Sequence, residues 1–139
     1  MEFFKRGRFE DFKVGISVAE VLEVAGDPDA ITGPLPAIHL YGDLQLGFSE
    51  GGVLWYIALE PSGPEMALPG LPGARVRVKN FTFEEFANEA EVEGRLVVKC
   101  EPFVPGEYWW KFMGAEVFVQ FDESGLLSVA GYSDRRLAN

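Results

Sequence analysis

One cysteine and one histidine in 139 residues, Cys100 and His39, set the first limits on this chain. A lone thiol rules out an internal disulfide and leaves no CxxC or Cys/His cluster for zinc, which fits a reducing compartment. A lone imidazole means that no Ser-His-Asp, Cys-His or two-histidine metal arrangement can be assembled within one chain. Basic residues are scarce as well: 12 Lys and Arg stand against 22 Asp and Glu, for a formal charge of −10. That balance repels phosphate backbones and anionic headgroups and removes the counterion release that drives nucleic-acid binding. Nucleic acid and membrane are therefore not expected partners; such a field would steer a basic protein or a cationic ligand, and it also serves simply to keep a small cytosolic protein soluble. No apolar run approaches the length that spans a bilayer, and the start, Met1 to Arg8, has no apolar signal segment, so the expected location is cytoplasmic. The glycines at Gly70 and Gly73 are interrupted by Pro72 and lack phosphate-binding spacing, so no nucleotide and no other cofactor is expected.

Core material, by contrast, is plentiful. The apolar share is 47% and includes twelve Phe, enough for a chain of this length to bury about two-thirds of its unfolded surface without a staple. One domain spanning residues 1–139 is the expectation.

Two helix starts carry the most specific local signals. In Ile16-Ser17-Val18-Ala19-Glu20-Val21, Ser17 can cap, Glu20 can close the box three residues later, and Ile16 can staple onto Val21. The apolar stripe Val18, Val21, Leu22, Ala25 follows, and Gly26-Asp27-Pro28 supplies the stop. Phe81-Thr82-Phe83-Glu84-Glu85-Phe86 repeats the arrangement with Thr82 as cap and Glu85 as reciprocal acid, predicting a second helix that ends at Gly94. Strands are predicted over Ile38–Phe48 and Val53–Leu59, and after the second helix over Arg95–Phe103, Tyr108–Phe121 and Leu126–Tyr132. Arg75–Lys79 alternates strictly and reads as an edge strand with a basic face. Residues 61–73 are dense in proline and glycine and read as a loop.

The predicted fold is α+β: an antiparallel sheet of about five to seven strands with two main helices on one face. Gly42-Asp43-Leu44-Gln45-Leu46-Gly47-Phe48 followed by Gly52-Val53-Leu54 echoes Gly114 to Phe121 followed by Gly125-Leu126-Leu127. Two tandem αββ units, 14–60 and 76–134, joined by the loop 61–73, are the corresponding expectation, against a chance likeness of common parts.

The phrase from Val14 to Asp29 resembles the opening helix of a bacterial group that includes small outer-membrane assembly lipoproteins and the tandem-repeat β-lactamase inhibitor proteins. That resemblance implies helices laid on an antiparallel sheet. This chain departs from the group in having no lipoprotein cysteine and no paired disulfide cysteines, so the group's locations and targets are not implied. The stretch Tyr41-Gly42-Asp43-Leu44-Gln45-Leu46-Gly47-Phe48 looks like a phrase of small acidic bacterial immunity-type proteins, which implies a cytoplasmic inhibitor that acts by binding.

The candidate contact residues are aromatic. In a strand through Tyr108-Trp109-Trp110-Lys111-Phe112-Met113, Tyr108, Trp110 and Phe112 point one way and Trp109, Lys111 and Met113 the other. Both sets are core only if both faces are covered, and Trp and Tyr are preferred interface anchors. Glu101, Glu107 and Glu116 would give an acidic rim suited to a basic partner, and Trp55 with Tyr56 poses the same two-faced problem. The competing structural reading puts one set in the core and the other at a sheet edge or dimer contact.

Candidate chemistry is thinner. His39 reads as satisfied or solvent-facing, and Cys100 as a buried inert thiol with Lys99 turned to the other face. The carboxylate pairs Asp122/Glu123, Glu84/Glu85 and Glu91/Glu93 have roles already in a turn, a helix start and a helix end.

Three functional classes follow. The first is an intracellular binding module of the inhibitor or immunity type that occludes a basic partner. The second is a small-ligand domain or cofactor-free enzyme with a Phe- and Trp-lined pocket between helices and sheet. The third is a homodimer built on a self-complementary aromatic face.

Overall fold

The computed structural model describes residues 2–139. Its local structure starts from the two capping boxes. Ser17 Oγ accepts from the Glu20 amide at 3.1 Å while a Glu20 carboxylate oxygen accepts from the Ser17 amide at 3.3 Å, opening a helix over Val18–Ala25. Thr82 and Glu85 exchange the same two bonds, both at 3.1 Å, to open a helix over Phe83–Val92. Each box satisfies amide donors that the first turn of a helix leaves without partners. The first helix stops at Gly26 (φ 75°), and Gly94 (φ 68°) follows the second.

A further helix, not anticipated, occupies Glu2–Arg6 and buries Phe3 and Phe4. Five residues are too few to show an amphipathic period. What holds this helix is tertiary: Phe4 meets Phe81 at 5.0 Å and Phe86 at 5.4 Å between ring centroids, and Lys5 Nζ lies 2.6 Å from Glu89 and 2.7 Å from Glu93. In chain order the helices are α1 (Glu2–Arg6), α2 (Val18–Ala25) and α3 (Phe83–Val92).

The strands are β1 (Ala30–Ile31), β2 (Ala37–Tyr41), β3 (Leu44–Phe48), β4 (Leu54–Leu59), β5 (Glu65–Pro69), β6 (Arg75–Lys79), β7 (Val97–Cys100), β8 (Trp109–Phe112), β9 (Phe118–Phe121) and β10 (Leu127–Ser133). Eight form one sheet in the order β1-β2-β3-β4-β10-β9-β8-β7, and β5 with β6 forms a separate two-stranded sheet. All pairings are antiparallel. The α+β class with an antiparallel sheet therefore holds, but the expected five to seven strands and two helices do not.

Three expectations fail for related reasons. Ile38–Phe48 is not one strand but the hairpin β2–β3, turned at Gly42-Asp43 with Gly42 at φ 62°. Tyr108–Phe121 is likewise the hairpin β8–β9, with Gly114 at φ 85° between them. In both, a short turn with a left-handed glycine interrupts an otherwise continuous run of strand-forming residues. The third failure is residues 61–73, read as loop, where Glu65–Pro69 is β5 and pairs with β6 from Glu65↔Lys79 to Pro69↔Arg75. Its proline stands at the strand end, where a missing amide costs least.

The chain order on the two sides of the β4–β10 junction is the same: helix, short edge strand, hairpin, last strand. The local bonds match as well. Val18 donates to Gly52 and Leu54 to Ile16; Phe83 donates to Gly125 and Leu127 to Phe81, all between 2.8 and 2.9 Å.

The core lies on the helix side of the sheet. Leu44, Leu46 and Phe48 alternate along β3 with Gln45 and Gly47, and they share one buried cluster with Val21 and Ala25 of α2 and Phe86 and Ala90 of α3. Under α3 the packing is aromatic: Phe86 stacks on Phe112 at 4.4 Å with planes 14° apart, and Phe83 meets Phe121 edge-on at 5.3 Å.

The stretch Tyr41-Gly42-Asp43 anchors the small sheet to the large one. Tyr41 Oη donates to the Gly26 carbonyl at 2.8 Å, Asp43 accepts from the Ala67 amide at 2.8 Å, and its own amide donates to the Ala67 carbonyl at 2.7 Å. A Cβ on Gly42 would collide with that same carbonyl, so the position requires glycine by space as well as by φ. Asp29 completes the joint, accepting from the Gly42 amide at 2.6 Å and from Arg75 at 2.9 Å; the guanidinium and the amide hold its carboxyl below the usual carboxylate range. Asn80, fully buried, ties the end of the small sheet to β10 by donating to Leu127 and Gly63, both at 2.9 Å.

Candidate functional site

The face of the sheet away from the helices carries side chains that alternate with the core: Ile38, Tyr56, Val129, Phe118, Lys111 and Trp109 are all half-buried. Its centre is built from small residues. Gly131 pairs with Ala58 on one side and with Phe118 on the other, and Gly47 pairs with Tyr56. A Cβ on Gly47 would come within 2.9 Å of Tyr56 Cβ, and one on Gly131 within 3.9 Å of the far edge of the same ring. The Tyr56 ring therefore lies down across the glycines, and the sheet surface is hollow on either side of it.

One hollow, about 380 Å³, is lined by Pro36, Ile38, Gly47, Phe48, Trp55 and Tyr56 among others and opens broadly to solvent. The other, about 150 Å³, is walled by Trp55 and Tyr56 on one side and by Phe103, Trp109 and Phe118 on the other, over a floor that includes Gly131, with Arg135 also in its lining. Phe103 holds the far wall together, meeting Trp109 edge-on at 5.3 Å and Phe118 at 5.5 Å. Trp55 and Tyr56, 5.8 Å apart, form the ridge shared by the two hollows.

The aromatic residues expected from the sequence are thus divided. Trp109, Trp55 and Tyr56 come together on the open face. Trp110, half-buried, faces α3 with its ring 5.1 Å from Phe83, and Phe112 is fully buried against Phe86, so both belong to the helix side. Tyr108, just before β8, is half exposed with Lys99 Nζ 4.3 Å from its ring centre.

The acidic rim is also redistributed. Glu107 accepts from Trp109 Nε1 at 2.8 Å and fixes the indole, Glu101 accepts from the Gly106 amide at 3.1 Å and closes its loop, and Glu116 is exposed in the β8–β9 turn. The charged side chain in the smaller hollow is Arg135, and Lys111 Nζ lies 5.6 Å over Phe118. Sequence reading missed Phe103, Phe118 and Arg135. Phe118 alternates with the buried Val117 and Val119, a usable signal; Phe103, expected at the end of a strand Arg95–Phe103, lies beyond β7 in a proline-flanked loop, and Arg135 follows the last strand.

The titratable groups do not converge. Burial, and then Glu60, push the Tyr56 phenol up, so it is a neutral hydroxyl near neutral pH. Burial raises the Cys100 thiol against a smaller opposing effect of Lys111, and the half-buried thiol sits 3.6 Å from the Trp109 carbonyl. Lys99 indeed lies on the other side of the strand, over Tyr108 and Trp110.

His39 departs from the expectation of a satisfied or solvent-facing ring. It is 5% exposed, 4.7 Å from Phe48, and its Nδ1 has no hydrogen-bond partner among the described residues. Burial lowers its pKa. Among the described residues no group of three or more His, Cys, Asp or Glu is placed to hold a metal ion, and no helix is long and apolar enough to cross a membrane.

The chain matches no protein-family model, no curated protein and no solved structure.

Proposed function

We propose that this chain works by contact: the open sheet face is the surface on which it binds another protein, in the manner of an inhibitor or immunity protein that occludes a basic partner. The observation that carries the reading is the wall of Trp55, Tyr56, Phe103, Trp109 and Phe118 around a hollow of about 150 Å³. Such aromatic side chains in partly desolvated hollows are the usual anchors of protein interfaces, and a hollow of that size is below the 300–1,000 Å³ typical of ligand pockets. The formal charge of −10 supports a basic partner through long-range attraction. The lone cysteine supports a cytoplasmic setting. The matching cap and turn bonds of the two halves support an origin by tandem duplication of one αββ unit.

Co-expression with the protein encoded beside it tests the reading. A complex should form, weaken with salt, and be lost in the Trp109→Ala, Phe118→Ala double variant while surviving Glu91→Ala on the exposed side of α3. No complex, or one lost through α3 and indifferent to the open face, would overturn it.

A second reading rests on the larger hollow, whose roughly 380 Å³ falls within the range of small-ligand sites. Its polar side-chain groups are the Thr32 and Tyr56 hydroxyls and the Trp55 indole, with no carboxylate or amine in the lining, which suits binding of an apolar compound better than catalysis. Neither this hollow nor the smaller one lies between helices and sheet, where a ligand pocket was expected; a hollow of about 240 Å³ beside α1 is lined by Phe3, Phe4 and Phe9 among others.

A further inference from the structure

Resting on the binding reading, we infer that the smaller hollow is an anchor site for one bulky apolar side chain of an extended partner segment, and that Arg135 and Lys111 select a carboxylate beside that side chain. The volume, about 150 Å³, leaves room for a single side chain and not for a cofactor. Its aromatic walls are already braced: the Trp109 indole is held by Glu107, and Phe103 bridges Trp109 and Phe118 edge-to-face. An entering side chain therefore meets a formed cavity and has little ordering cost to overcome.

Charge decides what stands next to the anchor. Glu107 and Glu101 keep their charge but are held by the Trp109 indole and the Gly106 amide, and neither lines the hollow. Arg135 lines the hollow and Lys111 lies over one of its walls, and among the described residues neither forms an ion pair, although acids outnumber bases 22 to 12. The neighbouring Arg136 shows the contrast, since Asp134 holds it at 2.7 Å. The lining of the hollow holds Arg135 and no carboxylate, so with Lys111 beside it an entering carboxylate is favoured at contact range over a cationic neighbour. This local preference is compatible with a partner of net positive charge. The −10 charge acts on the approach, beyond a Debye length only weakly, while Arg135 and Lys111 act at contact. The occupant is thus an extended strand or loop, apolar residue next to Asp or Glu, carried on an otherwise basic protein.

The three tryptophans provide the test, because each indole N–H gives its own NMR signal and Trp110, beneath α3, is an internal control. Two blocked tetrapeptides, glycine-phenylalanine-aspartate-glycine and glycine-phenylalanine-lysine-glycine, are titrated into the full-length protein. The aspartate peptide should shift the Trp55 and Trp109 signals saturably, leave Trp110 in place, and bind more tightly than the lysine peptide. Arg135→Glu, at an exposed position on the rim of the hollow, should weaken the aspartate peptide about fivefold and bring the lysine peptide level with it or ahead. A wild-type preference for the lysine peptide would overturn the charge selection while leaving the aromatic face as the binding surface. No response of either indole to either peptide would overturn the anchor site itself, and the co-expression experiment above then stands or falls separately.

Discussion

The two faces of the large sheet hold nearly the same kinds of side chain and put them to different use. Under α3, Phe83, Phe86, Phe112, Phe121 and Trp110 pack ring against ring, and Phe86 and Phe112 are removed from water altogether. On the other face Phe103 pairs edge-to-face with Trp109 and Phe118 while Trp55 and Tyr56 lie tilted together, but with no helix among the described residues laid across them they border hollows instead of filling a core. Burial of an aromatic ring stabilises the fold only where a second layer completes the contact; without that layer the same apolar area is available to another molecule.

The comparison is sharpened most by Phe86→Ala. Removing the ring that stacks on Phe112 at 4.4 Å should cost about 3–5 kcal/mol in urea unfolding, a large part of the stability of a small domain. A loss below about 1 kcal/mol would mean that the helix side is not the core that the packing describes. Next in size, Ser17→Ala and Thr82→Ala should each cost about 1 kcal/mol, since each removes one half of a capping box. Similar losses at both positions would support the equivalence of the two halves, and a marked inequality would break it.

A pH series probes His39. Its folded pKa is lowered by burial, so the unfolded chain takes up a proton first as the solution is acidified. Its contribution to stability is complete above about pH 6.5 and declines as the pH falls below that value toward the lowered folded pKa. The urea midpoint of the wild type should therefore drop between pH 7.5 and 5.5 more than that of His39→Leu, which has no imidazole to titrate. Parallel curves would show that the ring is not held neutral. The smallest effect on folding belongs to the open face: Trp109→Ala should cost about 1 kcal/mol or less while abolishing the complex proposed here. A cost like that of Phe86→Ala would erase the distinction between the faces.

Both main helices were legible because a capping box and a glycine stop are local signals, formed from side chain and backbone within a few residues. The hairpins β2–β3 and β8–β9 were not legible as hairpins. Gly42-Asp43 and the Gly114 turn interrupt strand-forming runs without the longer break that marked Ser49 to Gly52, and whether such a glycine bends the chain depends on the strand it can pair with. Strand β5 was hidden among prolines for a similar reason, since its pairing with Arg75–Lys79 outweighs poor propensity. Of the candidate site, Trp55, Tyr56 and Trp109 were legible from residue type and strand alternation, but alternation could not say which side of β8 the helices cover. Trp110 and Phe112 thus went to the core, and Phe103 and Arg135 arrived from loops with no periodicity to place them.

Composition, charge and short-range patterning determined the class of fold, the two helix starts, the scarcity of reactive side chains and the surplus of aromatic surface, because each depends on the residues themselves or on neighbours a turn away. The tertiary structure alone decided the pairing of β4 with β10, the docking of α1 through Phe4 and Lys5, the burial of His39, and the meeting of Trp55, Tyr56, Phe103, Trp109 and Phe118 around one hollow. These join residues tens of positions apart, and such contacts form only when burying a shared surface outweighs the entropy of closing the chain between them.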